Sequence, residues 1–248
     1  MKSPYYQITE NLDDDQTRNL LNGYLTGNHV RIKADADFII KNFPKDARIL
    51  DVGAAPPGML ELLRAEGYTN LTFADLQADL FEKYSVATGV RGLNANLLED
   101  VDSLDLSRYD LICFNEVIEH IPGDIHAIFS SLINRMPKGC HVLITTPNLR
   151  SISGVISLFK HGSGLASKPT ESLADQYTRK KSYGYYGHVR EYTRMEIIGF
   201  FTSMNCRLTD ESYQPTYMKH VPWFRQIRFF ENLLPRWRLF GKYLFVVK

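Results

Sequence analysis

The sequence predicts an α/β protein built on a seven-stranded, mostly parallel sheet with helices on both faces. Three observations support this prediction. Strand-like and helix-like segments alternate from about residue 47 to residue 146, which is typical of right-handed βαβ units. A glycine-bearing turn follows the first strand-like segment. The chain has 248 residues, 44% of them hydrophobic, so it is long enough for one large core.

The N-terminal part is polar, with apolar residues spaced three or four positions apart. This pattern over about residues 11–43 predicts one or two amphipathic helices ahead of the first strand. We therefore interpret residues 1–45 as a helical cap and residues 46–248 as the main domain.

The strands and helices of the main domain follow from the hydrophobic pattern. Strands are predicted at 47–52, 71–75, 90–93, 109–114, 140–146, 206–213 and 242–247. Helices are predicted over 59–67, 77–88, 121–136 and 193–203. The last of these has Thr193 at its N-cap and Glu196 at its third helical position, which is a capping-box arrangement.

Residues 147–192 interrupt this alternation with glycines, serines and the basic run 179–181. We predict an insertion or lid after the fifth strand. Its lysines, arginines and tyrosines would either hold a phosphate or a sugar face or form an ordinary solvated surface.

Charge and composition limit the partners. The 29 Lys and Arg nearly balance the 28 Asp and Glu, which does not indicate a general nucleic-acid binder. We expect a small-molecule or glycan partner instead. The three cysteines, Cys113, Cys140 and Cys206, are too few and too far apart for a disulfide framework, so we expect buried thiols. Without an apolar leader or a run of about 18 apolar residues, a cytoplasmic location is expected.

A candidate binding loop, Asp51-Val-Gly-Ala-Ala-Pro-Pro-Gly58, lies between the first strand and the next helix. Backbone approaches ligands closely at this edge of a parallel sheet. Taken alone, the two glycines could simply turn the chain. However, the second strand ends at Asp75, where a carboxylate can accept hydrogen bonds from both hydroxyls of a ribose. Asn96, or alternatively Asn94, follows the third strand at a position suited to an adenine edge.

The fourth strand leads into Asn115-Glu-Val-Ile-Glu-His120, and the fifth ends in Leu143-Ile-Thr-Thr-Pro-Asn148. With the first loop, this order of motifs makes residues 47–213 resemble the S-adenosylmethionine-dependent class I methyltransferases. Ala55 and Pro57 depart from the Gly-x-Gly-x-Gly that is usual in that family. The resemblance implies a Rossmann-like fold and S-adenosylmethionine as the cofactor. The implied cofactor-binding residues are Asp51, Gly53, Ala54, Ala55, Gly58, Asp75, Leu76, Asn96 and Asn115.

A second motif resembles two branches of the family, the ubiquinone-biosynthesis O-methyltransferases and the small-RNA 3′-terminal 2′-O-methyltransferases. Those branches carry Glu-x-x-Glu-His, followed later by His-x-x-Glu-aromatic-Thr. Their two glutamates and two histidines bind a metal. The resemblance therefore implies a divalent metal, Mg²⁺ or Mn²⁺ with Zn²⁺ or Fe²⁺ as alternatives. The implied ligands are Glu116, Glu119, His120 and His188.

The spacing of the first three candidate ligands would place them on one face of a helical turn. The alternative is a solvated helix start, in which the glutamates only interact with the helix dipole. A metal would lower the pKa of an acceptor hydroxyl. Without one, Glu116, His120 or His188 could act as the general base, so these three residues are the catalytic candidates.

The acceptor is suggested by a further resemblance. The Gly187-His188-Val-Arg-Glu-Tyr-Thr193 segment after a glycine-bearing insertion is similar to bacterial methyltransferases of sugar and surface-polysaccharide synthesis. We therefore expect O-methylation of a sugar or glycan hydroxyl. A polyprenyl phenol and a small-RNA 3′ end are alternative acceptors. A non-catalytic domain that binds a glycan or a partner protein is the alternative of another class.

The C-terminal part is basic and aromatic. From Pro215 onward it carries seven Lys or Arg against one Glu. Residues 221–239 fit either of two structures. One is a basic amphipathic helix lying on an anionic membrane, which would put the protein at the inner membrane surface. The other is a core-packing connection whose arginines extend outward.

Overall fold

The computed structural model describes residues 3–99, 101–162, 174, 178, 187–217 and 223–248. The helices in this part are α1 (Tyr6–Glu10), α2 (Asp15–Gly27), α3 (His29–Asn42), α4 (Gly58–Ala65), α5 (Glu82–Thr88), α6 (Ile125–Asn134), α7 (Ile152–His161), α8 (Arg194–Ser203) and α9 (Phe224–Leu233). The strands are β1 (Ile49–Val52), β2 (Leu71–Asp75), β3 (Arg91–Asn94), β4 (Leu111–Asn115), β5 (His141–Pro147), β6 (Cys206–Gln214) and β7 (Phe240–Val247). Short 3₁₀ helices lie at Ala78–Phe81, Val101–Ser103, Ile118–His120 and Pro235–Trp237.

The strands form a seven-stranded sheet in the order β3-β2-β1-β4-β5-β7-β6. Strand β1 is parallel to both β2 and β4, and β2 is parallel to β3. Strands β6 and β7 are antiparallel. The predicted Rossmann-like α/β fold is thereby confirmed. The strand order reverses between β1 and β4, and ligands bind at the carboxyl ends of strands at such a point.

The chain clusters into two compact units. The first unit comprises Met1–Asn115 and Asn134–Val142. All four residues of β1 are buried, which is expected of a strand covered on both faces. Helix α4 begins at Gly58, where a Cβ would lie 2.6 Å from the Leu25 side chain of α2. A Cβ there would push the Leu25 side chain aside, so the glycine allows close packing of α2 against the start of α4.

The second unit comprises Glu116–Ile133 and Leu143–Lys248. The predicted capping box is confirmed, since Thr193 and Glu196 each accept a hydrogen bond from the other's backbone amide. The Phe201 ring of α8 stacks on Phe245 of β7 with ring centroids 4.8 Å apart. This contact fixes α8 against the antiparallel strand pair.

Three predicted segments differ from the structure. The helix predicted over 77–88 is divided into a 3₁₀ turn and α5. The helix predicted over 121–136 begins only at Ile125, because Gly123 has a φ of +97° and breaks the helical path before it. The region predicted as an insertion contains α7, which is capped by the Ser151 side chain.

Other expectations concern the rest of the insertion, the thiols and the membrane. The basic run 179–181 and the neighbouring tyrosines lie outside the described residues. All three cysteines are buried free thiols, as expected. Among the described helices, none combines the length and the apolar character that a membrane crossing requires. The division into a cap over 1–45 and a main domain stays a prediction.

Candidate active site

The loop after β1 is shaped by Gly53. Its φ is +72°, a left-handed conformation that glycine adopts without steric cost. Its amide donates to the carbonyl oxygen of Ala74 in β2, at 2.7 Å. The loop continues through a cis Ala55–Pro56 peptide bond into α4. The glycine is thus required by the turn, and the turn brings the backbone of the loop beside the end of β2.

Asp75 holds this loop from the end of β2. One carboxylate oxygen accepts from the Ala55 amide at 3.0 Å and the other from the Gln77 amide at 2.9 Å. Burial raises the pKa of Asp75, and these two hydrogen bonds oppose that rise. Each oxygen keeps a further lone pair for a hydroxyl donor. The structure therefore brings Asp75 and the predicted cofactor loop together.

Asp51 and Asn115 meet at the carboxyl ends of β1 and β4. The Asn115 amide nitrogen donates to Asp51 Oδ1 at 3.1 Å. Burial raises the pKa of Asp51 to about 8, although the Asn115 hydrogen bond acts in the opposite direction. Asn115 Oδ1 is buried and, within the described structure, has no hydrogen-bond partner. A buried acceptor of this kind is costly unless a ligand supplies a donor.

A cavity in the first unit joins these residues to the N-terminal helices. From the predicted cofactor set it is lined by Asp51, Gly53, Ala54, Ala55, Gly58 and Asn115. The helices add Tyr24, Arg31 and Asp35, which sequence reasoning missed. Arg31 and Asp35 are both buried. The signal that could have identified them is a pair of charged residues four positions apart on the apolar side of a predicted helix.

The other predicted cofactor residues do not line this cavity. Leu76 is exposed. The Asn96 side chain accepts from the Leu98 amide at 2.9 Å and so stabilises its own turn. Asn94 pairs with Asp75 at the end of β3, where it is exposed. A role for any of these three in cofactor binding stays a prediction.

A cluster of candidate metal ligands lies in the second unit. One ligand atom from each of Glu119, His120 and His188 lies within 4.8 Å of the other two. The Glu119 side chain is fully buried. The two imidazole rings are nearly perpendicular, with centroids 4.7 Å apart. Two imidazoles and one carboxylate form a donor set that suits a divalent transition metal.

Each of the two histidines has its Nδ1 beside a hydrogen-bond acceptor. His120 Nδ1 lies 2.8 Å from the carbonyl oxygen of Gly187. Since a carbonyl only accepts, Nδ1 carries a proton, and in the neutral imidazole Nε2 then has the lone pair. His188 Nδ1 lies 3.1 Å from Glu191 Oε1, and the same assignment follows for an ionised Glu191. Metal-binding histidines are held in this way, by a carboxylate or carbonyl on the other ring nitrogen.

Backbone and side-chain hydrogen bonds hold the two parts of the cluster in place. The Val189 amide donates to the Glu119 carbonyl oxygen at 2.7 Å. Thr146 of β5 donates to Glu119 Oε2 at 3.1 Å. The Leu149 amide donates to the Tyr192 carbonyl oxygen at 3.0 Å. The segment with His188 and Glu191 is thus tied both to the 3₁₀ helix Ile118–His120 and to the end of β5.

Glu116 lies outside the cluster. It lies two residues before the 3₁₀ helix Ile118–His120, and its φ of +56° is left-handed. The prediction that it shares a helical face with Glu119 and His120 is therefore wrong. Its carboxylate accepts from the Thr145 hydroxyl at 3.4 Å. A left-handed non-glycine residue costs roughly 1–3 kcal/mol, and such strain often occurs at functional sites. Its roles as ligand or base stay predictions.

Comparisons with known proteins agree with this fold. A family described as a methyltransferase domain matches residues 25–211. None of the curated proteins compared with the chain matches it significantly.

Solved structures resemble the chain at low sequence identity. An S-adenosylmethionine-dependent methyltransferase from Archaeoglobus fulgidus is 16% identical, with a TM-score of 0.60 over 94% of this chain and 100% of that one. Magnesium protoporphyrin IX methyltransferase from Synechocystis, with bound S-adenosylhomocysteine, is 9% identical, with a TM-score of 0.55 over 99% and 93%. The methyltransferase domain of a bacterial Hen1 protein is 13% identical, with a TM-score of 0.51 over 88% and 96%. At these identities the likeness shows a shared fold.

Proposed function

The chain belongs to the S-adenosylmethionine-dependent class I methyltransferases, and on that premise we propose that it methylates a hydroxyl of a sugar or glycan with the help of a divalent metal. The observation that carries this proposal is the cluster of Glu119, His120 and His188, in which both imidazoles are oriented by a second hydrogen bond. A metal site of this kind has a clear chemical use in hydroxyl methylation, because an aliphatic hydroxyl is a weak nucleophile at neutral pH.

The cavity in the first unit, together with Asp75 beside its Ala55 wall, offers donors and acceptors that suit S-adenosylmethionine. The buried Asn115 Oδ1 suits the ammonium group of the methionine part. Arg31 is the cation in the cavity wall and suits the carboxylate. Asp75 suits the ribose hydroxyls. The cofactor supplies a methyl group on a sulfonium, so these residues have to bind and orient it rather than activate it.

The metal cluster supports Mn²⁺ more than Mg²⁺. Mg²⁺ prefers oxygen ligands and near-ideal octahedral geometry, whereas imidazole suits the transition metals. We assign the ligand atoms to the Glu119 carboxylate and to Nε2 of His120 and His188. A bound metal would lower the pKa of a coordinated hydroxyl. Gly187 and Glu191 would keep the two imidazoles in the tautomer that leaves Nε2 unprotonated.

Proton removal is the other task of the chain. The proton of the acceptor hydroxyl has to pass to a nearby base, and Glu116 is the candidate outside the ligand cluster. Without metal, Nε2 of His120 or His188 would itself accept the proton. These two mechanisms differ in their response to chelation.

The sugar acceptor rests on the resemblance of residues 187–193 to polysaccharide methyltransferases, and on chemistry, since vicinal hydroxyls can chelate a metal together. A polyprenyl phenol is the second candidate acceptor. It is favoured by the exposed aromatic side chains of α9. The net charge of +1 does not support a large contact with RNA phosphates.

The test is methyl transfer from isotopically labelled S-adenosylmethionine to three sets of acceptors: nucleotide sugars and oligosaccharides, polyprenyl catechols, and short RNAs with a free 3′ ribose. We expect an O-methylated sugar, identified by mass and by the chemical shift of its new methyl group. Activity should disappear after exhaustive chelation and return with Mn²⁺. A C- or N-methylated product would overturn the assignment of a hydroxyl acceptor. Full activity after chelation would overturn the proposal that a metal assists the reaction.

Calorimetric titration with S-adenosylhomocysteine tests the premise itself. Binding is expected. A complete lack of binding would instead favour a non-catalytic domain that binds a glycan or a partner protein.

A further inference from the structure

Helix α9 exposes apolar side chains and buries a carboxylate, which is the reverse of an ordinary surface helix. Its outward face carries Phe229, Phe230 and Leu233, which are 61%, 50% and 62% exposed. Its inward face carries Glu231, whose exposure is 0%. A soluble helix normally buries its apolar stripe and exposes its charges. The two phenylalanine rings also contact each other edge to face, with centroids 5.5 Å apart.

The buried carboxylate on the inward face of α9 receives its hydrogen bonds from the protein itself. The Glu231 carboxylate accepts from the Thr216 amide at 3.0 and 3.1 Å and from the Thr216 hydroxyl at 2.8 Å. Ile227, one turn earlier, is also buried. Because a buried carboxylate needs these donors, α9 cannot rotate to bury its phenylalanines without losing them. The exposed rings are therefore a fixed feature of this face.

The exposed apolar surface extends to both ends of α9. Trp223, at its N-terminus, is 70% exposed, and Leu234, after its last residue, is also exposed. Helix α7 contacts α9 and exposes Phe159 as well. We call Trp223, Phe229, Phe230, Leu233 and Leu234 the aromatic face of α9. Exposed apolar patches of this kind mark sites of protein or membrane contact.

The exposed charges that α9 itself carries are positive. Residues 223–248 contain six Lys or Arg, and Glu231 is their only acidic side chain. Since Glu231 is buried, α9 presents Arg225 and Arg228 without an exposed carboxylate beside them. A symmetric contact with a second copy would bring these arginines toward their own counterparts. An anionic surface would instead attract them.

We propose that the aromatic face of α9 docks on an anionic phospholipid bilayer. Aromatic and leucine side chains would enter the boundary between headgroups and acyl chains, and Arg225 and Arg228 would contact the lipid phosphates. Trp223 is suited to that boundary, since its ring is apolar and its N–H can stay hydrated. This proposal does not depend on the acceptor or on the metal.

The experiment measures co-sedimentation of the full chain with vesicles of phosphatidylcholine, with and without phosphatidylglycerol. We expect binding about 30-fold tighter to the anionic vesicles, since each of two arginines near such a surface contributes roughly fivefold, and a loss of this difference at high salt. Arg225→Gln should reduce it by roughly fivefold. Equal binding to both vesicles, or to neither, would overturn the proposal.

The aromatic face is tested with the double substitution Phe229→Ser and Phe230→Ser. It should abolish vesicle binding, whereas Leu20→Ser with Val86→Ser, which removes two exposed apolar side chains of the first unit, should leave it unchanged. Unfolding midpoints show whether each variant is folded.

A second readout comes from fluorescence. In a Trp237→Phe background Trp223 is the sole tryptophan, and its emission should shift to the blue on anionic vesicles. An unshifted emission would overturn the proposal. Concentration-dependent self-association that the double variant removes, without any vesicle binding, would do the same and would assign the face to contacts between copies.

Discussion

The imidazole rings of His120 and His188 lie with their centroids 4.7 Å apart at an angle of 86°. Each ring has its Nδ1 beside an acceptor, Gly187 O for one and Glu191 Oε1 for the other. Two histidines that lie 68 positions apart in the chain therefore both have Nδ1 held by an acceptor, which leaves the lone pair on Nε2 when the rings are neutral.

Glu191 is expected to act through His188. Glu191→Gln should weaken Mn²⁺ binding by about 10- to 100-fold, because an amide orients the imidazole less firmly than a carboxylate does. His188→Ala should abolish binding. Titration calorimetry with Mn²⁺ measures both. His126→Ala is the matched control, since His126 is exposed and lies outside the cluster. Equal Mn²⁺ affinity in the parent and the Glu191 variant would contradict this role.

Asp75 is expected to bind the cofactor. Asp75→Asn should lower the affinity for S-adenosylhomocysteine by about 10- to 100-fold, the loss expected for a hydrogen bond to a charged group. Isothermal titration measures the change. Asp79→Asn, at an exposed carboxylate nearby, should bind like the parent. If both variants bind equally well, Asp75 has only a structural role in the loop.

Arg31 is expected to contact the carboxylate of the methionine part. Arg31→Met should weaken S-adenosylhomocysteine binding by about tenfold or more, because it removes a charge-assisted hydrogen bond from a buried wall. Lys33→Met is the control in the same helix, where Lys33 forms only an exposed pair with Asp37. An adenosine titration adds a second check, since adenosine lacks the carboxylate and its affinity should not change.

Asp51 should make stability depend on pH. Burial raises its pKa from 3.8 to about 8, so between these values the folded chain keeps a proton that the unfolded chain releases. The stabilisation is complete below the unfolded pKa and is lost as the pH rises through the folded one. Its steepest change is about 1.4 kcal/mol per pH unit.

Urea denaturation of the ligand-free protein at pH 5, 6 and 7 measures this dependence. Asp51→Asn should flatten the decline in the free energy of unfolding. Asp46→Asn, at an exposed position, should keep the parent slope. A parent slope in Asp51→Asn would show that the ionisation of Asp51 does not control stability in this range.

Two helical glycines should respond oppositely to alanine. At Gly154 a Cβ would lie 2.2 Å from the backbone oxygen of Leu149, so Gly154→Ala should lower the free energy of unfolding by about 1–3 kcal/mol. At Gly23 a Cβ would meet nothing within 4 Å. Gly23→Ala should therefore raise stability by about 0.5–1 kcal/mol. Denaturation curves compare the two variants, and a destabilised Gly23→Ala would contradict the packing described for α2.

The sequence by itself determined the elements whose signals are local. These are the alternation of strands and helices, the Thr193 capping box and the turn at Gly53. Each depends on a few neighbouring residues: on the hydrophobic period, on the capping side chains, or on a glycine that permits a positive φ. The contact of Asp51 with Asn115, and that of Asp75 with the loop after β1, also followed, because the ends of parallel strands meet at one edge of the sheet.

Only the tertiary structure decided which side chains face inward. It placed Arg31 in the cavity wall, separated Glu116 from Glu119 and His120, and turned Glu231 inward while Phe229 and Phe230 stayed exposed. The hydrophobic period of a helix cannot by itself decide which face is buried, because that burial depends on contacts with residues far away in the chain. A single buried hydrogen-bonded group such as Glu231 can outweigh the local hydrophobic pattern.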